Sequence, residues 1–398
     1  MHATNNNVAN KKSLSRAVPL LGGLSADAFL RDYWQKKPLL IRNAIADFTG
    51  PLTKGEVLAL AGREEAESRL IRCDADNWQL EHGPFSPRDF RRKKNGLWTV
   101  LVQDVQHFSH EAHDLLSRFN FIPQARIDDL MVSYAVPGAG VGAHVDSYDV
   151  FLLQGMGERR WQISSQQDLR LKPDLSVKVL SHFEPTEDFV LNTGDMLYLP
   201  PNIAHNGIAQ TECMTWSIGF RAPAKQEMSG AFLDYLRDTL ELSGQYADPG
   251  LKATCHPAMI DNALQGRITK MLKDMQVRSR DGATIRRFTG SYLTEPKAHV
   301  IFDPPETPLA GRAFRKMALR HGLELDLKTR MLYDEEHVFI NGEVHTPTGQ
   351  LRAVLNELAD QRSISAITFT KLAPGASPAF LYERYCEGVL TVARGSQG

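Results

Sequence analysis

His144 and Asp146 stand two residues apart in the run Gly142-Ala-His-Val-Asp-Ser-Tyr-Asp149. On an extended strand, residues i and i+2 leave the same face. This spacing would offer an imidazole nitrogen and a carboxylate oxygen on one side of a sheet, as a metal ion requires. By itself such a pair is more often a surface loop residue followed by a turn residue. A third donor changes that balance. The segment Gly194-Asp-Met-Leu-Tyr-Leu-Pro-Pro-Asn-Ile-Ala-His205 reads as a strand over Met196 to Leu199, a Pro-Pro stop, a short loop and then His205. Two histidines and one carboxylate form the facial triad that holds Fe(II) in non-haem oxygenases, with positions left open for a cosubstrate and oxygen.

A cation follows. Tyr148 to Gln154, Gly-Met-Gly and Glu158 to Ile163 read as a hairpin with glycines in its turn. In its second strand Arg159 shares parity with Trp161 and Ile163, whereas Arg160 shares parity with Glu158 and Gln162. Arg159 therefore points to the apolar side and Arg160 to water. A buried guanidinium is costly unless an anion meets it. That anion is either a carboxylate of the protein or the distal carboxylate of a dicarboxylate cosubstrate, gripped by both arms of the fork. The nearby triad favours the second.

Arg126 to Asp146, Asp149 to Trp161 and Gly219-Phe-Arg-Ala-Pro223 together resemble the bacterial Jumonji-type ribosomal oxygenases. The likeness runs from about Phe29 to Pro223, takes in Trp34-Gln-Lys-Lys-Pro-Leu and His82-Gly-Pro-Phe85, and weakens beyond. It implies a double-stranded β-helix (jelly-roll or cupin, JmjC) that uses Fe(II), 2-oxoglutarate and O2 to hydroxylate an arginine, at its β carbon, in a large-subunit ribosomal protein. Position by position, His144, Asp146 and His205 fall on the family's iron ligands and Arg159 on its 2-oxoglutarate arginine. Asp128 and Ser217 fall where the family holds the substrate arginine. Ala135 stands where relatives offer a serine hydroxyl to the cosubstrate; Ser133, on the same strand face, is the replacement. The resemblance also implies a homodimer built on helices after the barrel.

Composition bounds the alternatives. A chain of 398 residues exceeds one ordinary core and suggests two or three domains. A formal net charge of -1 gives no global field toward nucleic acid, so direct nucleic-acid binding is not expected. Cys73, Cys213, Cys255 and Cys386 lie far apart, which excludes a zinc ribbon or disulfide framework and fits a reducing, cytoplasmic setting. No run approaches the roughly 20 apolar residues of a membrane helix. Arg91-Arg-Lys-Lys94 is a compact basic run, read as a solvated loop rather than a ribosomal contact.

The elements that must position these residues come in order. Residues 1–24 read as a disordered tail. Ser25 caps a helix over Ala26 to Gln35, and a strand Leu39 to Ile41 and a helix Lys54 to Ala61 follow. Asp104 to Phe119 reads as one helix. From Leu130 to Phe220 short strands alternate with Pro and Gly, the signature of a sandwich or barrel. The catalytic domain thus spans 25–223. Beyond it the period changes from two to 3.6. Met228, Phe232, Tyr235, Leu236 and Leu240 make one stripe, and Ile260, Leu264, Ile268, Met271 and Leu272 another, within a helical region over 224–300. After the proline-rich Phe302 to Pro308, a helix, a strand, a hairpin at Asn341-Gly342 and a helix Gln350 to Asp360 resemble a winged helix over 301–398. That last helix is too acidic to read DNA. Two rival readings remain: a metal cupin acting on a small molecule, and a non-catalytic ribosome- or DNA-binding factor with a vestigial barrel.

Overall fold

The computed structural model describes residues 18–74, 77–91, 96–372 and 376–393. Most of the basic run at 91–94 and most of the expected N-terminal tail lie outside them. The chain forms two compact units. The first ends at Ala222 and takes in Ala298–Ile301; the second comprises Pro223–Lys297 and the chain from Phe302 onward.

The first unit carries eleven strands: β1 (Leu39–Ile41), β2 (Ser68–Asp74), β3 (Asn77–His82), β4 (Leu97–Val102), β5 (Ile127–Ala135), β6 (Val150–Met156), β7 (Arg159–Ser164), β8 (Glu187–Leu191), β9 (Met196–Leu199), β10 (Ala204–Ala209) and β11 (Cys213–Phe220). Eight form an antiparallel sheet in the order β1-β9-β6-β11-β5-β4-β2-β3, and three form a second in the order β10-β7-β8. The two sheets enclose a cavity, the jelly-roll arrangement expected.

Alternation along the strands explains how one large sheet is buried on both sides. Leu130, Val132 and Tyr134 of β5, Phe151 and Leu153 of β6, and Met214, Trp216, Ile218 and Phe220 of β11 pack outward against Phe29, Val57, Leu60, Leu115 and Leu116 from the preceding helices. The intervening residues face inward and are mixed: Asp129, Met131 and Ser133, then Val150 and Leu152, then Thr215, Ser217 and Gly219 all line the cavity. Hydroxyls and carboxylates inside strands this apolar are placed by period two, not scattered.

Several local expectations are corrected. β6 and β7 are not a hairpin. β6 pairs with β9 and β11, β7 with β8 and β10, so the glycine turn hands the chain from one sheet to the other. After the expected short loop, His205 lies on β10, a strand not expected from the sequence, where Ala204 to Ala209 pair with Ser164 to Arg159. The helix expected over 104–119 is broken: a single turn at Val105–His107 follows Asp104, whose φ is 52°, and the helix proper is His110–Ser117, capped by Ser109. The helix capped by Ser25 likewise stops at Asp32. Leu20 and Leu21 are buried in the core, so the part of the expected tail from 18 onward is ordered.

The second unit begins with helices Lys225–Thr239, Asn262–Arg278 and Gly282–Thr294. Then come helix Gly311–His321, β12 (Leu323–Leu325), β13 (Met331–Tyr333), β14 (Val338–Ile340), β15 (Glu343–His345), helix Gly349–Gln361, β16 (Ser363–Ile364) and β17 (Leu390–Val392). β14 and β15 pair with Ile340 opposite Glu343, leaving Asn341 and Gly342 as a two-residue turn with φ of 50° and 90°. Helix Gly282–Thr294 packs on β13, β14 and β15 and also meets helix Lys225–Thr239, where Phe288 lies against Phe232 and Tyr235. The first two helices present Leu233, Ile268, Met271 and Leu272 to solvent.

Candidate metal and cosubstrate site

Backbone pairing, not a shared strand, joins the two histidines. His144 and His205 exchange both main-chain hydrogen bonds, at 3.0 and 2.9 Å, in an isolated antiparallel bridge. Asp146 lies beyond that bridge in a loop, where its carbonyl accepts from Asn202 N at 2.8 Å. The expected i, i+2 strand geometry for the pair is therefore replaced by a bridge and a turn. Gly140 lets this loop close on β10, since a Cβ there would lie 2.3 Å from the Gly207 carbonyl oxygen, and Gly142 is likewise restricted to glycine. Its φ is +84°, and a Cβ there would lie 2.8 Å from Val179 and 3.0 Å from Trp78.

The imidazoles are held in one tautomer. His144 Nδ1 lies 2.9 Å from the carbonyl of Gly142, and His205 Nδ1 2.9 Å from that of Ile203. A carbonyl only accepts, so each Nδ1 carries the proton and each Nε2 offers a lone pair. Those Nε2 atoms stand 4.0 and 3.6 Å from the two oxygens of Asp146. One donor atom from each of the three residues lies within 4.8 Å of the others. Burial, with the neighbouring His144 second, lowers the pKa of His205 to about 4, so it is neutral at physiological pH. Two imidazole nitrogens and a carboxylate at this spacing fit a ferrous ion with open coordination positions.

Arg159 faces the same cavity, which has a volume of about 400 Å³. Its side chain is 3% exposed. Nη1 donates to Ser133 Oγ at 3.0 Å and to Thr215 Oγ1 at 3.1 Å, while Nε is buried without an acceptor. No carboxylate among the described residues pairs with it, and burial lowers its pKa. Arg160, by contrast, is exposed and bound to Asp188. A desolvated guanidinium met by two hydroxyls and the face of the Trp161 ring, and by no carboxylate among the described residues, fits an anionic ligand rather than an internal ion pair. Thr215 in turn donates to Gln154 Oε1 at 3.0 Å, which turns its lone pair toward the guanidinium.

Ser133 therefore sits against the guanidinium. Ala135 is fully buried opposite Cys213 and adds no polar atom. Thr215 was not singled out from the sequence; its parity with Ser217 on β11 was the available signal. Asp128 and Ser217 both line the cavity, and Asp128 Oδ1 is 3.6 Å from Arg221 Nε. Asp129, also unforeseen, is 9% exposed and shares the inward parity of Met131 and Ser133. Its Oδ1 would lie 3.1 Å from a Cβ at Gly219, directly across the sheet. The cavity is thus polarised, with Asp128, Asp129 and Asp146 toward one part and Arg159 at another. Tyr148 stands among those acids, and burial followed by their charge raises the pKa of its phenol.

Known proteins share this architecture. Residues 114–228 match the family model described as JmjC domain, and residues 276–386 match that described as ROXA-like winged helix. The chain is 33% identical over 347 residues to the ribosomal protein uL16 3-hydroxylase of Escherichia coli, covering 86% of this chain and 90% of that one. It belongs to the ribosomal oxygenase family.

Within that family it is also 42% identical over 204 residues, half of each chain, to a probable ribosomal oxygenase of Haemophilus influenzae. The Escherichia coli ribosomal oxygenase YcfD, solved in complex with cobalt and 2-oxoglutarate, superposes with a TM-score of 0.76 at 30% identity, over 91% of this chain and 96% of that one. The winged-helix match begins before helix Gly282–Thr294 and so takes it in, with the strands it packs on. No helix among the described residues is long and apolar enough to cross a membrane.

Proposed function

We propose that the chain is an Fe(II)- and 2-oxoglutarate-dependent protein hydroxylase acting on the β carbon of an arginine in a large-subunit ribosomal protein. By its relationship to the Escherichia coli enzyme, uL16 is the first substrate to test. His144, Asp146 and His205 would hold the iron, which with 2-oxoglutarate and O2 would supply the oxidising power to hydroxylate an unactivated C–H bond, 2-oxoglutarate being oxidised to succinate and carbon dioxide.

The chain's own residues bind and orient. Arg159 would take the distal carboxylate of 2-oxoglutarate through Nη2, since both hydrogens of Nη1 are given to Ser133 and Thr215. Ser133 and Thr215 fix the plane of that fork, and Ser133 offers the hydroxyl that Ala135 lacks. Asp128 and Ser217, with Asp129 beside them, receive the substrate guanidinium and so set which carbon of the side chain faces the metal. The walls formed by Val150, Leu152 and Met131 keep bulk water from the reacting atoms.

The protein acts in the cytoplasm, where ribosomal proteins are made, and as a homodimer whose interface covers the apolar residues displayed by helices Lys225–Thr239 and Asn262–Arg278. It makes no sequence-reading contact with nucleic acid.

The observation that carries this reading is a buried arginine without an acidic partner, opening on the same cavity as a His-Asp-His donor set. The test is succinate release from 2-oxoglutarate by Fe(II)-loaded protein, with and without a uL16 peptide containing the candidate arginine. Wild type should release succinate with peptide stimulation, and His144→Ala should fall to the background of iron alone. Equal rates for the two proteins would exclude catalysis at this site.

A further inference from the structure

We infer that Asp149 is the positioning residue of the donor loop: its buried carboxylate, set in a socket built by Trp34, Gln35 and Tyr198, fixes the end of the segment that carries Asp146 and so keeps that ligand in reach of the two histidines. The inference rests on the reading above and deepens it. Residues Tyr148 to Leu153 alternate about the large sheet. Tyr148, Val150 and Leu152 line the cavity, whereas Phe151 and Leu153 pack in the outer core. Asp149 shares the outward parity and is fully buried. It is a carboxylate in an apolar layer, where a position that needed only packing would carry a residue such as Phe151. A charged group there is costly unless its partners are in place.

Those partners come from distant parts of the chain. Oδ1 accepts from the Tyr198 hydroxyl of β9 at 2.6 Å. Oδ2 accepts from Gln35 Nε2 at 3.0 Å and lies 3.6 Å from Arg126 Nη2. Gln35 also gives its main-chain N–H to the Tyr198 oxygen at 2.8 Å, from a left-handed backbone with φ of 55°. The Trp34 ring stacks on Tyr198 at 5.8 Å, meets Phe220 edge-on at 5.1 Å and lies 5.6 Å from the Arg126 guanidinium carbon. The motif Trp34-Gln-Lys-Lys-Pro-Leu, none of whose residues lines the cavity, thereby acquires a role. Upstream, the donor loop is tied by the His144–His205 bridge and by Asn202 N on the Asp146 carbonyl. Downstream, the socket pins Asp149 before β6 begins. A loop held at both ends keeps its carboxylate in one place before a metal arrives.

The test titrates Mn(II), a stand-in for Fe(II) that is stable in air, into full-length wild type, Asp149→Ala and Leu153→Ala, with urea unfolding measured for each. Leu153→Ala removes packing from the same outward row farther along β6, and so reports what lost stability alone does to the metal site. The expected result is about tenfold weaker Mn(II) binding in Asp149→Ala, the scale on which outer partners of metal ligands act. Leu153→Ala should bind as wild type does, whatever its loss of stability. Wild-type affinity in Asp149→Ala, or an equal loss in Leu153→Ala, overturns the inference. Should Asp149→Ala not fold, Tyr198→Phe decides, since it keeps the ring and removes both contacts of the hydroxyl. Its Mn(II) binding should weaken roughly threefold, the scale of one net hydrogen bond, and wild-type affinity there overturns the inference. Absence of Mn(II) binding to wild type removes the metal reading and this inference together, whereas equal binding to wild type and Asp149→Ala removes only the role of Asp149.

Discussion

At the scale of single residues, Arg159 separates a binding site from a structural ion pair. A guanidinium fully buried against two hydroxyls is a burden on the ligand-free fold. Arg159→Met keeps much of the volume and removes the charge. The variant should unfold at higher denaturant than wild type, by about 1 kcal/mol, as when buried charges give way to apolar residues. Its KM for 2-oxoglutarate should nevertheless rise tenfold or more, since neither end of a thioether can replace a forked donor. Chemical denaturation and succinate kinetics check the two halves; a destabilised variant with an unchanged KM would make Arg159 a structural residue. The inward direction of this side chain was legible in the parity of Arg159-Arg-Trp-Gln-Ile163. What parity could not reveal is whether an acid waits across the cavity, because that depends on strands distant in sequence. Thr215 and Asp129 escaped notice for the same reason. A hydroxyl or carboxylate at an alternate position looks like a solvated face until the second sheet is known to cover it.

At the scale of elements, the chain's own glycines let the donor loop fit its surroundings, Gly140 against Gly207 of β10 and Gly142 against other neighbours. Gly142 is held at a positive φ between Val179 and Trp78. Gly142→Ala adds a clash and backbone strain worth about 1–3 kcal/mol. The strain falls on the loop carrying His144, so Fe(II) or Mn(II) affinity, read by titration, should drop at least tenfold while the rest of the barrel keeps its circular dichroism. Wild-type affinity in this variant would mean that the loop sets the donors by some other constraint. Strand positions were largely readable, since period two persists from Met131 to Phe220. Strand partners were not. A Gly-Met-Gly turn signals reversal, yet it does not say whether the second strand rejoins the first or crosses to another sheet, and here it crosses. β10 was invisible as a strand because Asn-Ile-Ala-His-Asn-Gly has little β propensity. Its pairing with β7, and with His144 through the isolated bridge, supplies what local preference lacks.

At the scale of the whole molecule, the change of period after Phe220 marked the end of the barrel unit, which closes at Ala222. The apolar stripes beyond it did not announce what they cover. Within the chain, Phe232 and Tyr235 meet Phe288 at 4.9 and 5.6 Å between ring centroids, but Ile268, Met271 and Leu272 stay 44–47% exposed. We take this exposed apolar stripe as the surface that the proposed homodimer would cover. Ile268→Lys combined with Leu272→Lys should convert a dimer into a monomer by light scattering, with little change in succinate release per chain. A monomeric wild type would assign the stripes another occupant.

The central claim is that one cavity brings His144, Asp146 and His205 to a ferrous ion beside Arg159 and there oxidises a ribosomal arginine. Its most direct test is the intact mass of the large-subunit ribosomal proteins from cells lacking this gene, complemented with wild type or with His144→Ala. The account predicts that one protein gains the mass of a single oxygen atom, localised to an arginine, with wild type alone. An identical mass spectrum from the two complemented strains would contradict it.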